Sequence, residues 1–366
     1  MGRLKPYYTR HWPHSATYRL CGLLLLSLLL TACDTGNTSN ASVISPPSTT
    51  SAGTCLMVAC AAQGVTVFVE PDAGAAPIVR AIKAAKRSIW VEVYLLSDSS
   101  VVHALEDAAA RGLDVRVLLE THPFGDGAAS AQHMLEQLNA AHIAAKATNP
   151  AFQYTHAKML LLDGTTAYIL TANLSASGLG GYSTTTGNRE YLVLDTNPDD
   201  VADAHAIFQA DWDRIAPRLH IPRLVVSPVN ARVSLLGLIA SARTTLDLED
   251  EAMYDRQSED ALIAVAQRGV PVRLVLPAPS AGSPPSQSDD MARLRRGGVQ
   301  VRYLTAPYMH AKLIVSDGAL AFAGSENFSS TSLDQNREIG LMIADPHALA
   351  IFTHTFAQDW ALAAPA

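Results

Sequence analysis

The sequence predicts an α/β fold built as two repeated sandwich halves. Three observations carry that prediction. Short apolar runs alternate with helix-spaced amphipathic stretches, the pattern of strands covered by helices. The stretch "YTHAKMLLLDG" (Tyr154 to Gly164) returns as "YMHAKLIVSDG" (Tyr308 to Gly318). The flanking segments repeat as well: "IKAAKRSIWVEVYLLSD" against "LIASARTTLDLEDEAMYD", "ALEDAAARGLDVRVLLE" against "ALIAVAQRGVPVRLVLP", and "NREYLVLD" against "NREIGLMIAD". With 366 residues, 48% hydrophobic and 17% charged, the chain can fill a core in each half.

The elements follow in order. A short strand begins near Val65 ("VTVFVE"). A helix over Ala75–Ala85 places Ile78, Val79 and Ile82 at helical spacing. Ser88–Leu96 alternates as a strand. Ser100–Arg111 is helical and stops at Gly112, as a C-terminal glycine should make it. Asp114–Glu120 is a strand, Ala128–Ala141 a helix, and the histidine-lysine strand comes next. Met159–Leu162 is apolar throughout and closes on Asp163-Gly164, which reads as a strand buried on both faces that ends in a turn. The second half runs the same course from Leu224. Pro217 and Pro222 break the chain between halves, so the repeats are assigned to 65–216 and 217–366. Each repeat ends alike: Asn-Pro or Asp-Pro, a helix, then Asp211-Trp212 or Asp359-Trp360.

The candidate site comes from the repeated stretches. Residues two apart on a strand point the same way. His156 therefore shares a face with Lys158, and His310 with Lys312. Asp163 and Asp317 keep one spacing from these pairs, and Asn173 and Asn327 each follow ten residues later.

The full pattern, H-x-K-(x)4-D-(x)6-G-S-x-N, resembles the signature of the phospholipase D superfamily, and the resemblance covers the chain from about Val65 onward. The second copy fits throughout, with Gly324 and Ser325 in place. The first has Leu170 and Thr171 there: the hydroxyl is kept, and the close backbone approach of a glycine is lost. The resemblance implies two halves related by a pseudo-twofold axis, with one active site on their interface. It implies His156 as nucleophile, forming a covalent phosphohistidine, and His310 as the acid that protonates the leaving alcohol and then activates water. Lys158 and Lys312 would hold the non-bridging oxygens, with Asn173 and Asn327 as further donors. Glu190 and Glu338, in the repeated "NRE", match the acidic residues that hold each histidine in one tautomer; a strand-end ion pair with Arg189 or Arg337 is the alternative. Asp163, Asp317, Thr171 and Ser325 are assigned structural parts. Tyr154 and Tyr308 precede the two histidines and are candidates to line the pocket. Trp212 and Trp360 are expected core anchors.

The implied activity is a phosphodiesterase of the phospholipase D type, hydrolysing phospholipids or transferring the phosphatidyl group. A cardiolipin-synthase-like phosphatidyltransferase and an endonuclease of the same superfamily are the alternatives, and an inactive envelope binding module is a third. No C-x-x-C, H-E-x-x-H or zinc-spaced cluster occurs, so neither a catalytic metal nor any other cofactor is expected. Two motifs in one chain predict a monomer.

The ends of the charge and hydropathy profile place the chain. The first 32 residues hold four of its 27 basic residues and no acid, so the remainder carries a net charge of −11. That disfavours nucleic acid as a partner. Basic residues precede "LCGLLLLSLLL" (Leu20–Leu30), too short to span a bilayer comfortably, and "LTAC" follows. This resembles a bacterial lipobox, with 1–32 as signal peptide and Cys33 as the lipidated residue. An uncleaved anchor helix or a plain signal peptide is the alternative. A lipid-anchored protein of the bacterial envelope, facing the periplasm and meeting phospholipid at a membrane surface, is the expectation. Residues 33–64 are expected to be a flexible tether, rich in Ser, Thr, Asn and Pro over Asp34–Gly53. Cys55 and Cys60 sit close enough for a local disulfide in such a compartment, worth about 2 kcal/mol across so short a loop.

Overall fold

Alternating strands and helices resolve, in a computed structural model, into two mixed sheets of one topology. The structure describes residues 55–366 apart from 57, 126, 182–186, 218–219, 221–222 and 280–285; the leader and Cys33 lie outside the described residues. The first repeat contains β1 (Thr66–Glu70), α1 (Ala76–Ala84), β2 (Ser88–Val93), α2 (Ser99–Ala110), β3 (Asp114–Leu119), α3 (Ala128–Ala140), β4 (Ala144–Ala147), β5 (Lys158–Leu162), β6 (Thr166–Leu170), β7 (Asn188–Asp195) and α4 (Pro198–Asp213). The second contains β8 (Leu224–Ser227), α5 (Ala231–Ser241), β9 (Leu246–Glu249), α6 (Arg256–Gln267), β10 (Val272–Pro277), α7 (Ser286–Arg296), β11 (Gln300–Leu304), β12 (Tyr308–Met309), β13 (Leu313–Ser316), β14 (Leu320–Gly324), α8 (Ser330–Asp334), β15 (Glu338–Ile343), α9 (Pro346–Leu362) and β16 (Ala364–Pro365).

Strand order shows the duplication directly. The first sheet runs β1-β7-β6-β5-β2-β3-β4, and the second runs β8-β15-β14-β13-β9-β10-β11-β16. In both, the three strands joined through helices are parallel, and the hairpin strands are antiparallel. The β5 side chains are buried on both faces, as an uninterrupted apolar run requires. Met159 and Leu161 enter a core shared by the two repeats; Leu160 and Leu162 enter the core under α1–α3. The shared core takes the inner faces of both sheets together with α4 and α9. Asn197 and Asp345 cap those helices, with Pro198 and Pro346 in the first turn.

The first-repeat elements from β1 to α3 match the sequence reading to within a residue at each end, except that the strand predicted over Ser88–Leu96 stops at Val93; β4, between α3 and the histidine-lysine strand, is absent from that reading. Ser97 N and Asp98 N turn instead to Leu174 O, at 2.8 and 3.0 Å, and Asp98 becomes the cap of α2. The expected tether over 33–64 also needs correcting. Cys55, Ala61 and Ala62 are buried, and Leu56 lies against Gly237. Ala62 N donates to Met342 O at 2.8 Å, while Ala344 N donates to Ala62 O at 3.0 Å. The apolar end of that segment therefore belongs to the second repeat's core. Cys55 and Cys60 are joined by a disulfide.

Asp163 and Asp317 are the turn residues of two equivalent hairpins. Each is left-handed, φ 55° and 56°, and precedes a left-handed glycine, as a tight hairpin requires. Their carboxylates accept backbone amides: Lys86, Arg87 and Ser88 for Asp163, Arg243, Thr244 and Thr245 for Asp317. Each thereby fastens its hairpin to the start of the neighbouring central strand, and these bonds hold both carboxyls below the usual range against the burial that would raise them.

The repeats are stitched by arginines that reach across the seam. Arg189 of the first repeat grips Asp359 of the second, with Nε–Oδ2 at 2.6 Å and Nη2–Oδ1 at 3.0 Å. Arg337 of the second grips Asp211 of the first, at 2.8 and 3.0 Å. All four side chains are buried. The tryptophans beside these aspartates are only partly buried: Trp212 stacks on Phe208 and Trp360 on Phe356, and Arg116 and Arg302 lie over their outer faces. Removing one member of a buried pair strands the other charge, so Asp359→Ala should lose about 3–5 kcal/mol of stability. Urea unfolding of the variant against its parent measures that loss.

Candidate active site at the seam

The "NRE" triplets that carry the seam arginines also carry the site glutamates. Side chains alternate along β7 and β15, so the arginine and the glutamate next to it leave opposite faces. Arg189 and Arg337 run toward the shared core. Glu190 and Glu338 run toward the two histidines, and each meets the histidine of the other repeat. His156 Nδ1 lies 2.8 Å from Glu338 Oε2, and His310 Nδ1 lies 2.6 Å from Glu190 Oε1. The alternative of glutamate pairing with its neighbouring arginine does not occur: the arginines take Asp359 and Asp211.

Backbone bonds set this crossing. His156 N and Ala157 N donate to Arg337 O at 2.8 and 2.9 Å, and β12 pairs in parallel with β7, Tyr308 opposite Asn188. The strand leading into each histidine is thus a neighbour of the other repeat's "NRE" strand.

Each glutamate is fixed in turn. Glu338 Oε1 accepts from Ser332 Oγ at 2.7 Å and Asn336 Nδ2 at 2.9 Å. Glu190 Oε2 accepts from Thr171 Oγ1 at 2.6 Å, and Asn188 Nδ2 donates to Oε1 at 3.2 Å. Both carboxyls are fully buried, which raises their pKa. The facing histidine and lysine charges overcome that and hold them below the usual carboxylate range.

The departure at Leu170-Thr171 now has a reason. Gly324 pairs across the ladder with Gly340, and a Cβ on Gly324 would meet Gly340 Cα at 2.5 Å and Glu326 Oε2 at 2.6 Å. Buried Glu326 and the Phe322 ring together fill the space over both glycines. In the first repeat Leu170 pairs with Leu192, and Ala172 stands where Glu326 does. Two leucines there replace two glycines and a glutamate. Thr171 and Ser325 accept equivalent backbone amides, Tyr191 N at 2.9 Å and Ile339 N at 3.0 Å.

Both lysines are fully buried, and each folds back on its own motif. Lys158 Nζ donates to His156 O at 2.6 Å, and Lys312 Nζ donates to His310 O at 2.5 Å. Burial pushes the Lys158 ammonium down to about 7, with Lys312 adding to the fall and Glu338 opposing it. Burial likewise lowers His156, again opposed by Glu338 and reinforced by the two lysines. Groups from both repeats thus act on one another as a single electrostatic cluster. The histidine side chains keep 13% and 10% exposure, an open edge on an otherwise closed site.

Asn173 and Asn327 occupy the equivalent positions after β6 and β14. Each has a buried Oδ1 that meets no hydrogen-bond donor among the described residues. Tyr94 and Tyr154 stand beside the first histidine: the Tyr94 ring lies 4.7 Å from His156 and 6.2 Å from Tyr154. Tyr308 lies 3.4 Å from Glu251, through its hydroxyl, and is 44% exposed. Glu251 is the site residue the sequence reading missed. It has no counterpart in the repeated motif, since Tyr94 holds the equivalent place.

Comparison with known proteins finds a matching family, partial relatives and a similar fold. The family described as "Cardiolipin synthase, PLD-like domain" matches residues 78–212 and 235–360, most of both repeats. A mitochondrial cardiolipin hydrolase of Homo sapiens is 33% identical over 127 residues, covering 34% of this chain and 49% of that one. The Chlamydomonas reinhardtii protein of the same name is 29% identical over 126 residues, covering 34% of this chain and 55% of that one. The chain thus spans about half the length of the curated relatives it matches. In fold it is similar to the phosphatidylserine synthase of Haemophilus influenzae, with a TM-score of 0.64 at 12% identity, covering 84% of this chain and 88% of that one.

The crossed pairing has a direct spectroscopic consequence. Glu338 raises the His156 pKa against the burial that lowers it, so Glu338→Gln should move the His156 titration midpoint down by about 1–3 pH units. Imidazole NMR of the full chain measures this without any substrate, and Glu190→Gln should leave the His156 midpoint nearly in place.

Proposed function

We propose a reaction from one premise: the chain belongs to the phospholipase D superfamily, in its cardiolipin-synthase-type branch. The reading is a phosphodiesterase that cleaves phospholipid headgroups through a phosphohistidine. One observation carries it. Two histidines, one from each repeat, turn Nδ1 to a buried glutamate of the other repeat, and His310 Nε2 lies beside Glu251, 3.4 Å from its Oε2.

Phosphodiesters hydrolyse so slowly that catalysis must remove roughly 20 kcal/mol from the barrier. Splitting the step in two is one device. The His156 Nε2 lone pair attacks phosphorus, and the P–O bond to the headgroup breaks. His310 Nε2–H gives its proton to the departing oxygen. Water then attacks phosphorus and passes its proton to His310. The P–N bond breaks with its electron pair returning to His156, and a phosphomonoester leaves. Lys158 and Lys312, with Asn173 and Asn327, stabilise the charge that grows on the non-bridging oxygens. Assigning His156 as nucleophile is supported by its lowered pKa, which keeps it neutral near pH 7. Transfer to a second alcohol in place of water is the variant of the same intermediate. Lipid anchorage at Cys33 would hold the site at a membrane surface, and a monomer suffices because one chain supplies both motifs.

Two measurements test the reading. The full chain is incubated, with chelator, with mixed phospholipids and separately with plasmid. Headgroup release supports the proposal; nicking of plasmid without lipid cleavage sinks it in favour of an endonuclease. Brief reaction with phosphorus-labelled lipid followed by acid quench should leave label on protein; His156→Asn should abolish it, while His310→Asn should slow both its appearance and its loss.

The pH profile should be narrow. In kcat/KM, activity should rise as pH climbs through the depressed His156 pKa, below 6.5, and fall as pH passes about 7, where Lys158 loses its proton. A bound phosphate anion favours the charged lysine, so the alkaline limb of kcat should lie at higher pH than that of kcat/KM.

A further inference from the structure

The repeats are not equivalent where it matters for an anion. Met159 pairs with Glu92 across β2 and β5, and Leu313 pairs with Glu249 across β9 and β13. Each of these follows its motif lysine, so Glu92 matches Glu249, and two residues on, Tyr94 matches Glu251. The first repeat thus presents an aromatic ring to its motif, with Lys158 Nζ 5.6 Å from the Tyr94 centroid. The second presents a carboxylate. Glu251 Oε2 lies 3.2 Å from Lys312 Nζ and 3.4 Å from His310 Nε2, and Oε1 lies 3.4 Å from the Tyr308 hydroxyl.

Those contacts are the ones a non-bridging phosphate oxygen would seek. We infer that Glu251 is a resident counter-anion: its carboxylate fills the Lys312 side of the phosphate site in the free protein, gives way to a singly charged diester, and resists a doubly charged monoester. The inference rests on the proposed function only in taking Lys312 and His310 as phosphate-facing groups.

Charge and mobility both fit that part. Although burial alone would raise its pKa, Glu251 is held far below the carboxylate range by His310, Lys312 and His156, so it is an anion in the free protein. With Glu190 and Glu338 it makes three carboxylates around the two lysines, a cluster in which the cations already have their counter-charges before any phosphate arrives. Its flanks are tied down: Asp250 accepts Ala252 N at 2.8 Å, and Tyr254 N donates to Phe328 O at 2.7 Å. The side chain itself is 27% exposed, so rotation about its own bonds toward solvent frees Lys312 without moving the backbone. Hydrolysis of a diester makes a monoester, which carries the charge that a returning carboxylate expels. Glu251 would therefore act on product release as well as on selection.

The test needs no turnover. Inorganic phosphate and dimethyl phosphate are titrated into the full chain by calorimetry, for the parent and for Glu251→Gln. The expected result is that inorganic phosphate binds at least fivefold tighter to the variant, with a smaller gain for dimethyl phosphate. A gain below fivefold, weaker binding, or an equal gain for both ligands overturns the inference. Glu251→Asp, which draws the carboxylate back by one methylene, should fall between parent and Gln variant; it carries the test if the Gln variant does not fold, and parent-like phosphate binding then overturns it. Failure to cleave any lipid would sink the proposed substrate and leave this measurement standing.

Discussion

The exchange of glutamates across the seam is the constraint on which the site depends. A buried imidazole facing solvent on one edge needs a fixed partner on the other, or its tautomer is left to chance. Here neither repeat supplies its own. The donor strand for His156 is β15 and that for His310 is β7, and the same two strands send Arg337 and Arg189 the opposite way into buried aspartates of the other repeat. Orientation of the reacting groups and cohesion of the halves are therefore one structural fact. Loosening the seam would cost both at once, because every charge involved has been taken out of water and has a single set of partners.

On this nearly symmetric frame the surroundings of the two motifs are asymmetric. Sheets, hairpin turns, lysine bonds and arginine pairs repeat almost atom for atom. The differences gather beside the motifs: Tyr94 against Glu251, Ala172 against Glu326, Leu170 and Leu192 against Gly324 and Gly340. The double displacement proposed above would ask the two histidines for different protonation states at the same moment, and perfect symmetry would give them identical surroundings. A carboxylate beside His310 and a ring beside His156 remove that identity.

Much of this was legible in the sequence. Apolar periodicity placed the first-repeat helices to within a residue, and the doubled motif named the histidines, lysines and glutamates. What spacing within one repeat does not encode is which copy a side chain will meet, so the crossing of Glu190 and Glu338 emerged only from the packing of β12 against β7 and of the His156 strand against Arg337. Glu251 escaped because its match is a tyrosine; aligning the strand registers, residue by residue outward from the lysines, was the signal that would have exposed a charged residue there. The tether's end was misplaced because Ser- and Thr-rich sequence gives way to a short apolar stretch, Cys55 to Ala62, too brief to announce itself as core.

That stretch gives the molecule a definite load path. The chain enters the fold on the second repeat, where Ala62 is hydrogen-bonded beside β15 and the Cys55–Cys60 staple closes a loop against α5, and only then passes to β1 of the first. Tension arriving from the N-terminal side is borne by a sheet far along the sequence before it can peel the strand that comes next.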